Sequence, residues 1–563
     1  MSLIKADPGG DMYDYDVIVV GAGPTGLATA NLLGCYGVRT LIVERNAATV
    51  HEPRAVSIDD ESLRTMQAIG AVDTVLERVV AGYGSRYLTP GGHPFLLVEP
   101  TGIPYGYPRR NAFRQPVLEA QLRHHLDGWP DVETLFGWTA TGVVQEGDHV
   151  VLSLESTEGE TRSVSCQYVV AADGASSPLR SMLGLSLDGE TFAEKWLIVD
   201  LENSPAPSRE TLVFCDVRRP CIALPGPDLT RRFEFKLIPT DDPATMTQDA
   251  VVGELLSTHG AAPDSRISRK TIYTFHARLA QTWSLGRVFL AGDACHLTPP
   301  FAGQGMNSGI RDAHNIAWKI AGVVQLGFDP KILESYEQER RGHVREMITL
   351  ARRMGRIMGP RNWLTGFLTQ TGFRLLGFWP SVRDYFGQMK YKPKPRFSQG
   401  LLIPDGRPAR RTSVGRLLPQ PDVRTTAVAC KLDYVLGEGF GLLGFTDTLE
   451  TFMRATSNPL FGLIEARRVH VTREAGREGR GDCVQVVDHT GALHAGLDRP
   501  DGRIFVIRPD RYVLGSFHPE EADAFAATLC ALLGDPVHSP DPAATKPATA
   551  HVPAHPVGGE PKL

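Results

Sequence analysis

A chain of 563 residues is long enough for several folding units and a sizeable buried core. Its 59 lysines and arginines against 64 aspartates and glutamates give a net charge of −5, which excludes a generic polyanion binder, because no basic surplus exists to neutralise phosphates. A hydrophobic fraction of 42% and a charged fraction of 22% exclude a largely disordered chain, and 57 glycines with 41 prolines predict many tight loops.

Residues 1–13 are polar and acidic and read as a disordered lead-in. They lack a basic stretch followed by an apolar one, and no apolar run reaches membrane-spanning length. A soluble, cytoplasmic protein is therefore expected, with no membrane or nucleic-acid partner. The eight cysteines are scattered and none forms Cys-x-x-Cys, so neither a metal site nor a dithiol centre is expected.

Tyr15 to Val20 reads as a short buried strand. A glycine loop, an Ala/Leu-rich helix and a second strand from Thr40 to Val43 follow, ending at Glu44. The loop, Gly21-Ala22-Gly23-Pro24-Thr25-Gly26, is a G-x-G-x-x-G in the strand–loop–helix context of a dinucleotide site. Gly21 permits the tight turn, Gly23 lets the backbone approach a pyrophosphate, and Gly26 permits close helix–strand packing. The helix N-terminus offers free N–H groups to phosphate. Glu44, with Arg45 beside it, can accept both hydroxyl hydrogens of an adenosine ribose and disfavours a 2′-phosphate, which suits FAD or NAD better than NADP.

Two further strand ends carry acidic motifs: Gln167 to Ala172 runs into Asp173-Gly174, and Arg287 to Ala291 into Gly292-Asp293. Between about 186 and 284 the pattern changes to alternating segments such as Trp196–Leu201, Thr211–Phe214 and Arg231–Leu237, an antiparallel sheet inserted into an α/β domain. Helical periodicity runs from Gly303 to about Arg356. Trp363 to Trp379 is rich in large apolar residues and reads as a buried or subunit-contact helix. Strands and helices alternate again from about 400 to 533. Residues 535–563, rich in Pro, Ala and His, read as a disordered tail.

Three motifs in this order, completed by Pro299-Pro300-Phe301-Ala302-Gly303-Gln304-Gly305-Met306-Asn307, resemble the class A flavoprotein aromatic hydroxylases. Pro53-Arg54-Ala55-Val56-Ser57-Ile58-Asp59-Asp60-Glu61, Arg231-Arg232-Phe233-Glu234-Phe235 and Arg508-Pro509-Asp510-Arg511-Tyr512-Val513 narrow the resemblance to the 3-(3-hydroxyphenyl)propionate hydroxylases. The resemblance implies an α/β fold in several parts. These are a Rossmann-like FAD-binding domain (14–75, 106–185, 285–360), an inserted mainly antiparallel β-sheet substrate domain (76–105, 186–284) and a helical connector (361–399). A C-terminal thioredoxin-like domain without redox cysteines (400–534) follows.

It also implies FAD contacts from Gly21, Gly23, Gly26, Glu44, Arg45, Arg54, Gln115, Asp173, Asp293, Gly303, Gly305, Met306 and Asn307. NADH or NADPH would be a transient reductant and O2 the oxidant, with hydroxyl transfer to a small aromatic substrate and a homodimer as the assembly. His296 and His276 are candidates for phenol ionisation, because histidine titrates near neutral pH. Pro299, in Pro299-Pro300-Phe301, offers an apolar wall beside the flavin. Arg218 and Arg232 could bind a substrate carboxylate, and Phe235 and Tyr273 could line the ring pocket. Competing readings are the same chemistry on a larger polycyclic phenol, and a non-catalytic binding protein on the same fold. The Trp-x-Trp-x-Ile-Pro motif of flavin halogenases is absent.

Overall fold

The computed structural model of the chain describes residues 13–49, 54–205, 209–472 and 483–534. Residues 1–12 of the expected lead-in and the expected 535–563 tail lie outside the described residues. Tyr13 is buried and donates its hydroxyl to Asp148 at 2.6 Å.

Val17, Ile18, Val19 and Val20 form an apolar run without alternation, which suits a strand covered on both faces. Strand Tyr15–Val20 accordingly lies between Thr40–Glu44 and Thr161–Ala171 in a parallel sheet, which Val132–Phe136 and Val288–Leu290 extend. Trp138–Glu146 and His149–Ser156 add an antiparallel meander to Thr161–Ala171. Helix Pro24–Cys35 packs against both Gly305–Leu326 and Gln115–Leu126.

The second sheet is antiparallel except where Thr211–Phe214 runs parallel to Ser85–Leu88. Its long strands, Leu187–Glu202 and Arg266–Ala280, pair with each other, and Arg231–Lys236 and then Cys221–Pro225 follow beyond Leu187–Glu202. Side chains alternate between faces along a strand. Phe233 and Phe235 therefore enter a core with Val252 and Leu256 of helix Asp249–Thr258, while Arg232 and Glu234 face the opposite way, into a cavity.

The helical region expected from Gly303 to Arg356 is interrupted. Helix Gly305–Leu326 ends at Gly327, in the left-handed conformation at φ 68°, and Pro330 opens a short 3-10 turn, Pro330–Glu334, before helix Ser335–Met358. The apolar segment after it forms helices Trp363–Leu376 and Pro380–Gly387. Burial within the chain is not its fate: Trp363 is 72% and Phe378 81% exposed.

In the C-terminal part, Gly441–Gly444, Arg467–Thr472 and Cys483–Val487 are parallel, and Ile504–Ile507 and Val513–Phe517 continue the sheet antiparallel. One face packs on helix Gly305–Leu326, where Trp318 meets Phe440 edge-on at 5.6 Å between ring centroids. The core is thus shared with the parallel-sheet domain rather than separate from it. Cys35, Cys166, Cys215, Cys221, Cys295 and Cys430 are free thiols.

Candidate active site

A cavity of about 730 Å³ runs from the glycine loop to the antiparallel sheet. At its loop end, Gly21 has φ +103°, and a Cβ there would lie 2.4 Å from the Ala172 carbonyl oxygen. A Cβ on Gly26 would lie 1.8 Å from the Gly21 carbonyl oxygen, so Gly26 permits helix–strand contact and does not line the cavity. A Cβ on Gly23 would meet no atom of the described residues: it would project into the cavity, beside the N-terminus of helix Pro24–Cys35. The Glu44 carboxylate accepts from Ala22 N at 2.8 Å and from Asn46 N at 2.9 Å, which fixes it at the rim.

Asp173 accepts from Leu179 N through Oδ2 at 3.1 Å, while its buried Oδ1 has no partner among the described residues. Burial pushes its carboxyl above the ordinary range. Asp293 is open to the cavity yet enclosed by protein, and it accepts no hydrogen bond from the described residues. Burial raises its carboxyl too, with His296 and Arg54 pulling the other way. Two carboxyls short of donors, a cradle that a Gly23 side chain would fill and two helix N-termini fit a dinucleotide bearing hydroxyls and phosphates. The second N-terminus belongs to Gly305–Leu326: Gly303, Gly305 and Met306 line the cavity there.

Arg45, Arg54 and Gln115 also line the cavity. Gln115 accepts from Ala55 N at 2.7 Å and donates to Glu119 at 2.8 Å, and the Arg54 carbonyl accepts from Arg232 Nη1 at 2.8 Å. Asn307 does not line it. Its amide donates to the Gly303 and Ser57 carbonyls at 2.6 and 3.0 Å and accepts from Asp59 N and Ser62 Oγ, buckling the helix start to segment 57–62.

Besides Gly26 and Asn307, four more expected site residues lie off the cavity wall. His296 is fully buried off the cavity wall, donating through Nε2 to Asp312 Oδ2 at 2.7 Å. Asp312 also accepts from Arg340 Nε at 2.9 Å. Burial alone would raise the Asp312 carboxyl, but His296 and Arg340 outweigh it and hold it low. Pro299 is buried behind the wall, and Pro300 and Phe301 form the wall instead. Arg218 is an exposed arginine paired with Asp216 at 2.7 Å, outside the cavity. Phe235 lies in the core beneath the sheet, because it and Arg232 are three residues apart on one strand and cannot share a face. Arg232 and Tyr273 do line the cavity, Arg232 being held by Asp200 at 2.6 Å.

Sequence reasoning missed Glu234, Ile198 and Ile222 on the sheet floor, and Met354, Met358 and Tyr391 above it. The period of two around Phe235 could have found Glu234; the methionines and Tyr391 carry no local signal.

The FAD binding domain family model matches residues 14–351, and an HcaD C-terminal domain model matches 415–532. A 3-(3-hydroxy-phenyl)propionate/3-hydroxycinnamic acid hydroxylase 2 from Burkholderia vietnamiensis is 37% identical over 508 residues, covering 88% of this chain and 92% of the relative. A 3-(3-hydroxy-phenyl)propionate/3-hydroxycinnamic acid hydroxylase from Klebsiella pneumoniae is 36% identical over 538 residues, covering 94% and 97%. Among solved structures, the flavin-dependent monooxygenase PieE in complex with FAD and substrate shares the fold, with a TM-score of 0.79, 21% identity and coverage of 92% and 99%. Aklavinone-11 hydroxylase with FAD and aklavinone gives a TM-score of 0.76 at 21% identity, covering 93% and 100%. With a cavity built for a dinucleotide at one end and a sheet-floored chamber at the other, the chain belongs to the family of FAD-dependent aromatic hydroxylases, the monooxygenases that include the 3-(3-hydroxyphenyl)propionate hydroxylases.

Proposed function

We propose that this monooxygenase ortho-hydroxylates 3-(3-hydroxyphenyl)propionate and 3-hydroxycinnamate to the 2,3-dihydroxy acids, in aromatic catabolism in the cytoplasm. The observation that carries the substrate reading is a chamber with an apolar body and a cationic edge, continuous with the dinucleotide end. Ile198, Ile222, Phe275, Phe301 and Met354 suit an aromatic ring, and Arg232 with Arg269 suits a carboxylate. The curated relatives, at 36–37% identity over most of the chain, carry these substrates in their names. No helix among the described residues is long and apolar enough to cross a membrane.

Bound FAD would supply the redox chemistry, taking electrons from NAD(P)H and activating O2. The Gly21–Gly26 loop and the N-terminus of Pro24–Cys35 would hold its phosphates, Glu44 the adenosine ribose, and Asp293 a chain hydroxyl. The N-terminus of Gly305–Leu326 places the positive end of a helix dipole at the cavity, where it favours negative charge. Phe301 and Met354 exclude water from the reacting side. A groove lined by Ser176, Arg180, His276 and Arg278 opens beside Asp173-Gly174, and its cations suit the pyrophosphate of a visiting pyridine nucleotide. The C-terminal part keeps its thioredoxin-like reading as part of this proposal.

The exposed helices Trp363–Leu376 and Pro380–Gly387 support a homodimer. Trp363, Phe367, Leu368, Leu375, Phe378 and Trp379 are all more than half exposed. With their neighbours they offer about 1,000 Å² of apolar surface, against roughly 800 Å² per partner in a standard interface.

The deciding experiment is product identification after incubation with FAD, NADH, O2 and a panel of phenols. The 2,3-dihydroxy acid is expected from 3-(3-hydroxyphenyl)propionate. NADH consumption with H2O2 alone from that acid, and product from a polycyclic phenol, would move the substrate to the second reading.

A further inference from the structure

We propose that Glu234 is the base that takes the proton from the ring hydroxyl of the substrate. This rests on the hydroxylase reading above and assigns a role at the same site. With His296 placed behind the wall, the cavity needs another group for this step.

Glu234 stands in the middle of the sheet floor, with Ile198 and Ile222 opposite it on the flanking strands. It is 7% exposed, faces the cavity, and accepts no hydrogen bond from the described residues. Most other carboxyls on the wall are committed elsewhere. Asp59 is held by Arg311 and Lys392, Glu44 by Ala22 and Asn46, and Glu119 by Gln115. Asp173 and Asp293 belong to the dinucleotide end. His276 lines the cavity where it meets the second groove and is engaged with Thr191 Oγ1 at 3.0 Å. Glu234 is thus the uncommitted carboxyl of the substrate half.

The charged groups around it come from each neighbouring strand. Asp200 on Leu187–Glu202 binds Arg232 of Glu234's own strand at 2.6 Å and lies 3.6 Å from Arg269 on Arg266–Ala280. Arg269 also reaches the Tyr273 hydroxyl at 3.4 Å. On Cys221–Pro225, Cys221 faces the opposite core. Burial raises the Glu234 carboxyl and Arg232 only partly offsets it, leaving the group near pH 7. That matches a base to its working pH.

In the step, the substrate O–H bond breaks and its electron pair stays on oxygen. The proton goes to a Glu234 carboxylate oxygen. The resulting oxyanion enriches the ortho carbon that receives the hydroxyl. When that carbon releases its hydrogen to solvent as a proton, Glu234 returns its own proton to the ring oxygen and ends the turnover ionised.

The test compares wild type, Glu234→Gln and Glu234→Asp as FAD-loaded full-length enzymes. Flavin reduction by NADH in the presence of substrate is measured by stopped flow, and product per NADH by chromatography. Glu234→Gln is expected to keep flavin reduction within about twofold and to lose product formation about 100-fold or more, with H2O2 in its place. Glu234→Asp should recover part of it. A ring-fluorinated analogue whose hydroxyl is already ionised at assay pH should shrink the Gln deficit to less than about tenfold, which a merely structural role would not do. Equal product from wild type and Glu234→Gln, or an equal deficit with both substrates, overturns the assignment alone. A wild type that hydroxylates no phenol overturns the hydroxylase reading and the assignment together.

Discussion

Arg508 holds Glu339 through two nitrogens, Nη1 to Oε1 at 2.7 Å and Nη2 to Oε2 at 2.8 Å, with neither side chain exposed. Arg508 belongs to the C-terminal sheet region and Glu339 to helix Ser335–Met358. Glu339 also accepts from Lys319 Nζ and Asn315 Nδ2, each at 2.7 Å, on helix Gly305–Leu326, whose first turn lines the cavity. Replacing Arg508 with Met leaves a buried carboxylate short of its main partner and should cost about 3–5 kcal/mol. Urea denaturation followed by flavin release measures it. Burial alone would raise the Glu339 carboxyl, but Arg508 and Lys319 lower it to about 2. Its stabilisation is therefore present above the ordinary glutamate range and is lost as pH falls through about 2.

Gly23 and Gly26 separate cofactor binding from folding. Gly23 has φ −76°, which alanine adopts freely, so Gly23→Ala should fold normally and bind FAD at least about tenfold more weakly. Gly26→Ala places a methyl against the Gly21 carbonyl, so soluble yield and thermal stability should both fall, with overpacking costing about 1–3 kcal/mol. Flavin absorbance and calorimetry on both variants check the contrast.

The two substrate-side residues that miss the cavity should behave as their positions dictate. Phe235→Ala should lose about 3–5 kcal/mol of stability, read by denaturant titration, with KM for the phenol little changed in the folded fraction. Arg218→Ala should alter stability by less than about 0.5 kcal/mol and leave KM unchanged, because its pair with Asp216 is exposed.

The exposed helices should set the oligomeric state. Light scattering behind size exclusion should give twice the 61.5 kDa chain mass for wild type and the monomer mass for Trp363→Glu combined with Phe378→Glu. A monomeric wild type at micromolar concentration would discard the dimer reading. Co-sedimentation of that monomer with lipid vesicles would assign the patch to a membrane surface instead.

What is readable in the sequence divides along physical lines. A buried parallel strand is an unbroken apolar run ending in glycine, so Val17 to Val20 and Gly21 declare themselves locally. The acidic motifs at Asp173 and Asp293 likewise sit at strand ends, where a sequence shows them. The antiparallel sheet divides its residues by alternation, but which face meets the cavity depends on where helix Asp249–Thr258 lands, a tertiary fact. Choosing Phe235 by residue type therefore fails, while its neighbour Glu234 has the right parity. His296 is misread because its partner Asp312 lies 16 residues on, in helix Gly305–Leu326, and titratability says nothing of location. The Trp363–Trp379 run reads the same whether a core or a partner covers it.

The distance along the chain between Glu339 and Arg508 has a bearing on synthesis. They are 169 residues apart, so at about 5–20 residues per second a ribosome delivers the arginine roughly ten to thirty seconds after its partner. For that interval the nascent N-terminal domain holds Glu339 with Lys319, Asn315 and, once it is made, the Leu401 amide to meet it, and Arg64 waits likewise for Asp433. The two halves are written in order but can be closed only together, which makes the arrival of Arg508, rather than emergence of the first domain, the moment at which the helix lining the cavity is fixed.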